Sequence, residues 1–230
     1  MSIEKRAQET ETVVKVVFYS MYGHVHEMAR EVAEGARDVP GTRVELLQVP
    51  ELVPEETLEE SGAKEARAAF GDVPVAEPED LVEADALLFG APTRFGNMSA
   101  QMRNFLDQTG GLWFNDELVG TVGGFFTSAN TQHGGQESTL LTAQVTLQHL
   151  GMIVLGVPYS EERQQTLDEI SGGSPYGAST VAGLEDSPTE NERGIARFQG
   201  RHAARTARRL RLGRMIDGES VDDAAVDPAA

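Results

Sequence analysis

Residues 13–36 read VVKVVFYSMYGHVHEMAREVAEGA, and their pattern decides the fold. Val13–Tyr19 are β-branched or aromatic apart from Lys15, as in a strand buried on both faces of a parallel sheet. The polar turn Ser20–Gly23 stops this run abruptly. Val25, Met28, Ala29, Val32, Ala33 and Ala36 then recur at helical spacing until Pro40-Gly41 ends the helix region. Strand, tight turn and amphipathic helix together make the first half of a βαβ unit.

The same alternation continues along the chain. Strand two is expected at Arg43–Val49, strand three at Glu83–Ala91, strand four at Leu118–Ser128 and strand five at Met152–Val157. Helices are expected around Met98, Met102, Phe105 and Leu106, and over Glu137–Leu150. Two stretches, Pro50–Asp80 and Pro158–Asp186, lack strong periodicity and read as functional excursions or mobile segments. A last helix is expected to open on a capping box, with Ser187 as N-cap, Pro188 in the first turn and Glu190 three residues on, and to run to about Leu212. The sum is an α/β protein: a doubly wound, five-stranded parallel sheet with helices on both faces. One domain spans residues 13–212, between a flexible N-terminal tail (1–12) and an acidic flexible C-terminal tail (213–230).

Composition narrows the chemistry. The 230 residues include no Cys, which excludes disulfides, thiolate nucleophiles and Cys-ligated metal centres. A formal net charge of -18 repels polyanions and argues against nucleic acid as a partner. No apolar run approaches the roughly 20 residues of a membrane span, and the polar start carries no export signal, so a cytoplasmic protein is expected. His24 and His26 sit two apart on a helix and face different ways, so no metal site is expected.

In a doubly wound sheet, ligands bind outside the carboxyl ends of the strands. The loops there are SMYGHV (Ser20, Met21, Tyr22, Gly23, His24, Val25), PTRFGN (Pro92, Thr93, Arg94, Phe95, Gly96, Asn97) and TSANTQHGG, which contains Thr127, Ser128, Ala129, Asn130, Thr131 and Gly134. The first lies between a strand and a helix N-terminus, where unpaired N–H groups and the helix dipole favour a phosphate. Neither GxGxxG after strand one nor GxxxxGK[ST] occurs, which disfavours dinucleotide and Walker sites and leaves a monophosphate. The other two loops can hold something flat, and Trp113, the only Trp, could wall a planar substrate or simply pack.

At these residues the sequence resembles the WrbA-type NAD(P)H:quinone oxidoreductases, relatives of flavodoxin. The matching stretches are YSMYGH (Tyr19–His24), FGAPTRFGNMSAQMRNFLDQTGGLW (Phe89–Trp113), GGQE (Gly134–Glu137) and GGSPYGASTVAG (Gly172–Gly183). The resemblance implies a flavodoxin-like fold, FMN as cofactor, a homotetramer, and two-electron transfer from NAD(P)H to quinones. It further implies that Ser20–Val25 hold the phosphate and Thr93–Phe95 the ring. Ser128, Asn130, Thr131 and Gly134 would bound the ring and ribityl chain, and Tyr22 would meet the nicotinamide donor. Trp113 would line the quinone site and His149 would approach the flavin.

The chemistry expected is ping-pong hydride transfer, with the flavin supplying the reactivity and the protein supplying position and electrostatics. Two other readings stay open: a flavodoxin-type one-electron carrier, and a non-catalytic regulatory partner protein. The arginines at 197, 201, 205 and 208 form a stripe on the last helix, read as a solvated face or a subunit contact.

Overall fold

The computed structural model describes residues 11–183 and 187–217. Five positions of parallel strand form the sheet. β1 (Thr12–Phe18) lies between the edge strand β2 (Thr42–Gln48) and the central strand β3 (Ala86–Arg94). β3 pairs on its other side with β5 (Val122–Ala129). A two-residue β4 (Asn97–Met98) folds back on the end of β3. The fifth position is filled by two separate pieces, β6 (Ile153–Val154) and β7 (Ser179–Val181), which pair with the beginning and the end of β5. The strand expected at Met152–Val157 is therefore shorter, and its continuation comes from inside a segment that reads as loop. Three residues, Ser179–Val181, among glycines and serines carry too little periodicity to stand out.

Helices cover both faces. On one lie α1 (His24–Arg37) and α7 (Glu190–Asp217). On the other lie α4 (Ala100–Asp107) and α6 (Gln136–His149). The short helices α2 (Glu55–Glu60) and α3 (Ala63–Arg67) belong to the excursion after β2, and α5 (Gly110–Phe114) follows α4. Adjacent residues of β5 feed opposite cores: Phe126 packs with Val14, Val16, Val32 and Ile195, and Phe125 with Val17, Phe89, Met102 and Leu140. Each buried ring contributes roughly 1.5–3 kcal/mol.

Of the residues expected in flexible tails, 1–10 and 218–230 lie outside the described structure. Thr12 belongs to β1, and Gly213 onward continues α7 to Asp217. The capping box of α7 is also displaced from its expected place. Thr189, not Ser187, accepts from the Glu192 N–H (3.2 Å), and Glu192 accepts in return from the Thr189 N–H (2.9 Å). Both registers fit the Ser/Thr-x-x-Glu pattern. Glu192 prevails because its carboxylate is also claimed by Gly172, Thr180 and Val181.

The arginine stripe has a third role at its first two positions. Arg197 pairs with Glu31 (2.6 Å) and Arg201 with Asp38 (3.6 Å), while Arg193 pairs with Glu27 (2.9 Å), so the row ties α7 to α1 within the chain. The helices can approach because glycines face backbone across their contact. A Cβ on Gly35 would sit 1.8 Å from the Arg197 carbonyl oxygen, and one on Gly200 1.9 Å from that of Val32.

His24 and His26 go to different places. His26 is buried on α1 against the rings of Phe18 (centroids 5.3 Å apart) and Phe70 (4.7 Å). Burial first, and Arg30 second, lower its pKa from 6.5 to about 4. Between those values the unfolded chain takes up a proton that the folded chain refuses. Stability is thus complete above about pH 6.5 and falls as pH drops toward 4. From pH 7 to pH 5 the wild type should lose about 2 kcal/mol more than His26→Leu, read by urea unfolding at each pH. Equal losses would show that the imidazole protonates freely within the fold.

Candidate active site

The carboxyl ends of β1, β3 and β5 open on a cleft of about 420 Å³. It is lined by Ser20, Met21, Tyr22, His24 and Val25 from the first loop, and by Pro92, Thr93 and Arg94 from the end of β3. Ser128, Ala129, Asn130, Thr131 and Gly134 come from the end of β5 and the turn after it. The volume falls within the roughly 300–1,000 Å³ usual for cofactor-sized ligands.

Each wall has a local cause. In the first loop, Ser20 Oγ accepts from the Gly23 N–H (3.1 Å), and the Gly23 carbonyl accepts the first helical bond from the Glu27 N–H (3.0 Å). Gly23 has φ +99, a conformation that a side chain would strain. With its acceptor side engaged, the Ser20 hydroxyl keeps its proton for a ligand at the N-terminus of α1.

The second wall is a hairpin rather than the loop expected from PTRFGN. β3 continues to Arg94, which pairs with Asn97, and the two residues between, Phe95 and Gly96, have φ of 52 and 78. Two consecutive positive φ angles match the twist of a tight hairpin, usually made with Asn-Gly, so Phe at the first position hides the turn from sequence reading. The Thr139 hydroxyl donates to that of Thr93 (2.8 Å), which locks the hairpin to α6.

Residues that miss the lining do so for identifiable reasons. Thr127 is wholly buried and donates to the Ala91 carbonyl (2.7 Å), a bond between strands. Phe95 projects fully exposed from the hairpin tip, with Gly96 and Asn97 behind it. Gly23 shapes the first loop from below. His149 ends α6, the helix whose other end stands at the cleft, and about 14 residues of helix span roughly 20 Å. Trp113 is likewise remote: Asn115, two residues on, lines a groove with Asp85 and Thr121 at the amino edge of the sheet. In their own chain, neither His149 nor Trp113 lines the cleft. Ala182 does, unforeseen, because β7 runs beside Ser128 and Ala129, and the Ala182 N–H donates to the Ala129 carbonyl (2.8 Å). The stretch Gly172–Gly183 was the available signal.

Beneath the first loop lies a polar network. The Tyr19 hydroxyl donates to Glu51 (3.0 Å), and Gln101 donates to both Tyr19 (2.9 Å) and Glu51 (2.8 Å). Burial, then the neighbouring carboxylate, pushes the Tyr19 phenol well above its ordinary range, so it remains a donor. Burial would raise Glu51 too. Hydrogen bonds from the Val53 N–H, Gln101, Tyr19 and the Leu52 N–H outweigh it and hold the carboxyl below its ordinary value.

A doubly wound parallel sheet with three polar segments converging on one cleft at the carboxyl ends of its strands defines a flavodoxin-like α/β protein. The sequence profile described as NADPH-dependent FMN reductase matches residues 22–165, more than half of the chain. The chain belongs to that family, whose description implies a flavin. It is 62% identical over 203 residues to an NAD(P)H dehydrogenase (quinone) of Aromatoleum aromaticum, covering 87% of this chain and 98% of the relative. A protein of the same name from Trichlorobacter lovleyi is 62% identical over 199 residues, with 86% and 98% covered. Among solved structures, a flavodoxin, WrbA-like protein from Agrobacterium tumefaciens superposes with a TM-score of 0.56 at 24% identity, covering 86% of this chain and 99% of that one. That likeness supports the fold alone. Among the described residues, no helix is long and apolar enough to cross a membrane.

Proposed function

We propose that this protein is an NAD(P)H:quinone oxidoreductase that works through FMN held in the cleft at the carboxyl ends of β1, β3 and β5. The observation that carries the reading is the convergence of three polar loops on one cleft, with the Ser20–Gly23 turn at the N-terminus of α1. Donor and acceptor classes follow from the names of the close relatives.

FMN, when bound, supplies a two-electron carrier that can be charged by one substrate and discharged by another. The chain's part is positional. The Ser20 hydroxyl and the N–H groups of the first loop bind the phosphate, where the helix dipole favours a dianion. Thr93 and Arg94, which line the cleft at the end of β3, hold one side of the ring. Ser128, Asn130 and Thr131 bound the ring and ribityl chain from the other side. Tyr22, half exposed at the mouth, is placed to meet the nicotinamide.

The roles assigned to Trp113 and His149 are kept by placing them across a subunit boundary in a homotetramer. Trp113 and Phe114 are 57% and 79% exposed, and Leu141 and Val145 also present apolar surface, which a partner subunit would cover. For the experiment, purified protein is reconstituted with FMN, desalted, and titrated anaerobically with NADH or NADPH and then benzoquinone. The yellow absorbance should bleach with one equivalent of donor and return with one equivalent of quinone, and light scattering should give the mass of a tetramer. A protein that emerges colourless from desalting would end the assignment.

A further inference from the structure

We infer that Arg67, in the excursion after β2 and far from the loop motifs in sequence, is a positioning residue that sets the first loop for the cofactor phosphate. The inference rests on the FMN reading above. Arg67 Nη1 donates to the Ser20 carbonyl at 2.7 Å. The ladder of β1 runs out just before this point: the Phe18 carbonyl still accepts from the Val49 N–H, but among the described residues no strand pairs with Ser20. Arg67 supplies the partner that the sheet does not.

A trans peptide is planar, so its C=O and N–H point in opposite directions. Pinning the Ser20 oxygen toward Arg67 therefore turns the Met21 N–H the other way, toward the cleft that Ser20 and Met21 line. The guanidinium is held hard enough to do this. Its side chain is 17% exposed, pairs with Glu51 at 3.1 Å, and lies over the rings of Tyr19 (5.6 Å) and Phe70 (5.4 Å). Glu51 does not need Arg67 to be satisfied, since Tyr19, Gln101, Leu52 and Val53 all donate to it. The excursion thus acts as a buttress under the phosphate loop.

The test compares FMN with riboflavin, which lacks the phosphate, by quenching of flavin fluorescence. Wild type should bind FMN more tightly. Arg67→Met should weaken FMN about tenfold and leave riboflavin unchanged, with Arg67→Lys in between. Glu51→Gln combined with Arg67→Met should show the same FMN loss, because peptide orientation and not stray negative charge is at stake. Restoration of FMN affinity in that double variant would overturn the inference. So would equal weakening of both flavins in Arg67→Met, which would mean a merely structural role, or no weakening of FMN in a wild-type background that does prefer it. If the wild type itself shows no preference for FMN, the phosphate reading of the cleft fails first and takes the inference with it.

Discussion

Gly200→Ala should destabilise the protein by about 3 kcal/mol, although the same change inside most helices stabilises by about 1 kcal/mol. The inversion of sign is what makes the measurement decisive. The added carbon would stand 1.9 Å from the Val32 carbonyl oxygen and 3.1 Å from the Ala36 nitrogen, both backbone atoms of α1 that no rotamer change can move. Relief requires the helices to separate, which opens the apolar contact of Val32, Ala33 and Ala36 with Ala196, Ala203 and Ala204. Gly35→Ala should do the same from the other side. The double variant should cost less than the sum, since the second carbon enters a gap the first has opened. Thermal unfolding should show a drop of about 6–12 °C for the single variant. Because α1 begins at the first loop, flavin affinity should fall with it. A Gly200→Ala protein as stable as wild type would mean that the helices do not touch as described.

Glu192→Ala should cost about 4 kcal/mol. The Glu192 carboxylate is 1% exposed and accepts from four donors: the N–H groups of Gly172 and Val181 (2.8 Å each) on one oxygen, and Thr180 Oγ1 (2.8 Å) and the Thr189 N–H (2.9 Å) on the other. Removing it leaves buried donors unmatched at roughly 1–3 kcal/mol each, partly recovered by water. Glu192→Gln is the sharper control. It preserves volume, but its NH2 must face donors on whichever side it takes, so a loss of about 2 kcal/mol is expected by urea unfolding. The damage should reach the cleft, because Thr180 and Val181 lie in β7 beside Ser128 and Ala129. A loss below about 1 kcal/mol in Glu192→Ala would show that these donors find solvent.

Much of this was legible in the order of residues. Val13–Ala36 announced strand, turn and helix because two clean periodicities meet at Gly23. The first and third loops were readable because each follows a strongly apolar strand. The hidden parts depend on contacts distant in sequence. Nothing near Thr189 distinguishes it from Ser187 as a cap until Gly172 and Val181 arrive to claim Glu192. The arginine row acquires partners only when α1 lies alongside it. His149 and Trp113 were placed by resemblance, and a single chain cannot bring either to its own cleft, because both stand at the far edge of the sheet. Arg67 has no motif at all. Its place is set by how the excursion returns beside Gln48, where the Ala76 N–H meets the Gln48 carbonyl.

The hairpin tip at Phe95 bears on how this fold divides stability from service. An aromatic residue at φ 52 costs on the order of 1 kcal/mol that glycine or asparagine would not incur, and its ring gains nothing from burial, being wholly in water. A chain optimised only to stay folded would discard it. That a benzyl group sits at the tip of this hairpin at a thermodynamic loss marks a position where the free polypeptide is not at its stability optimum.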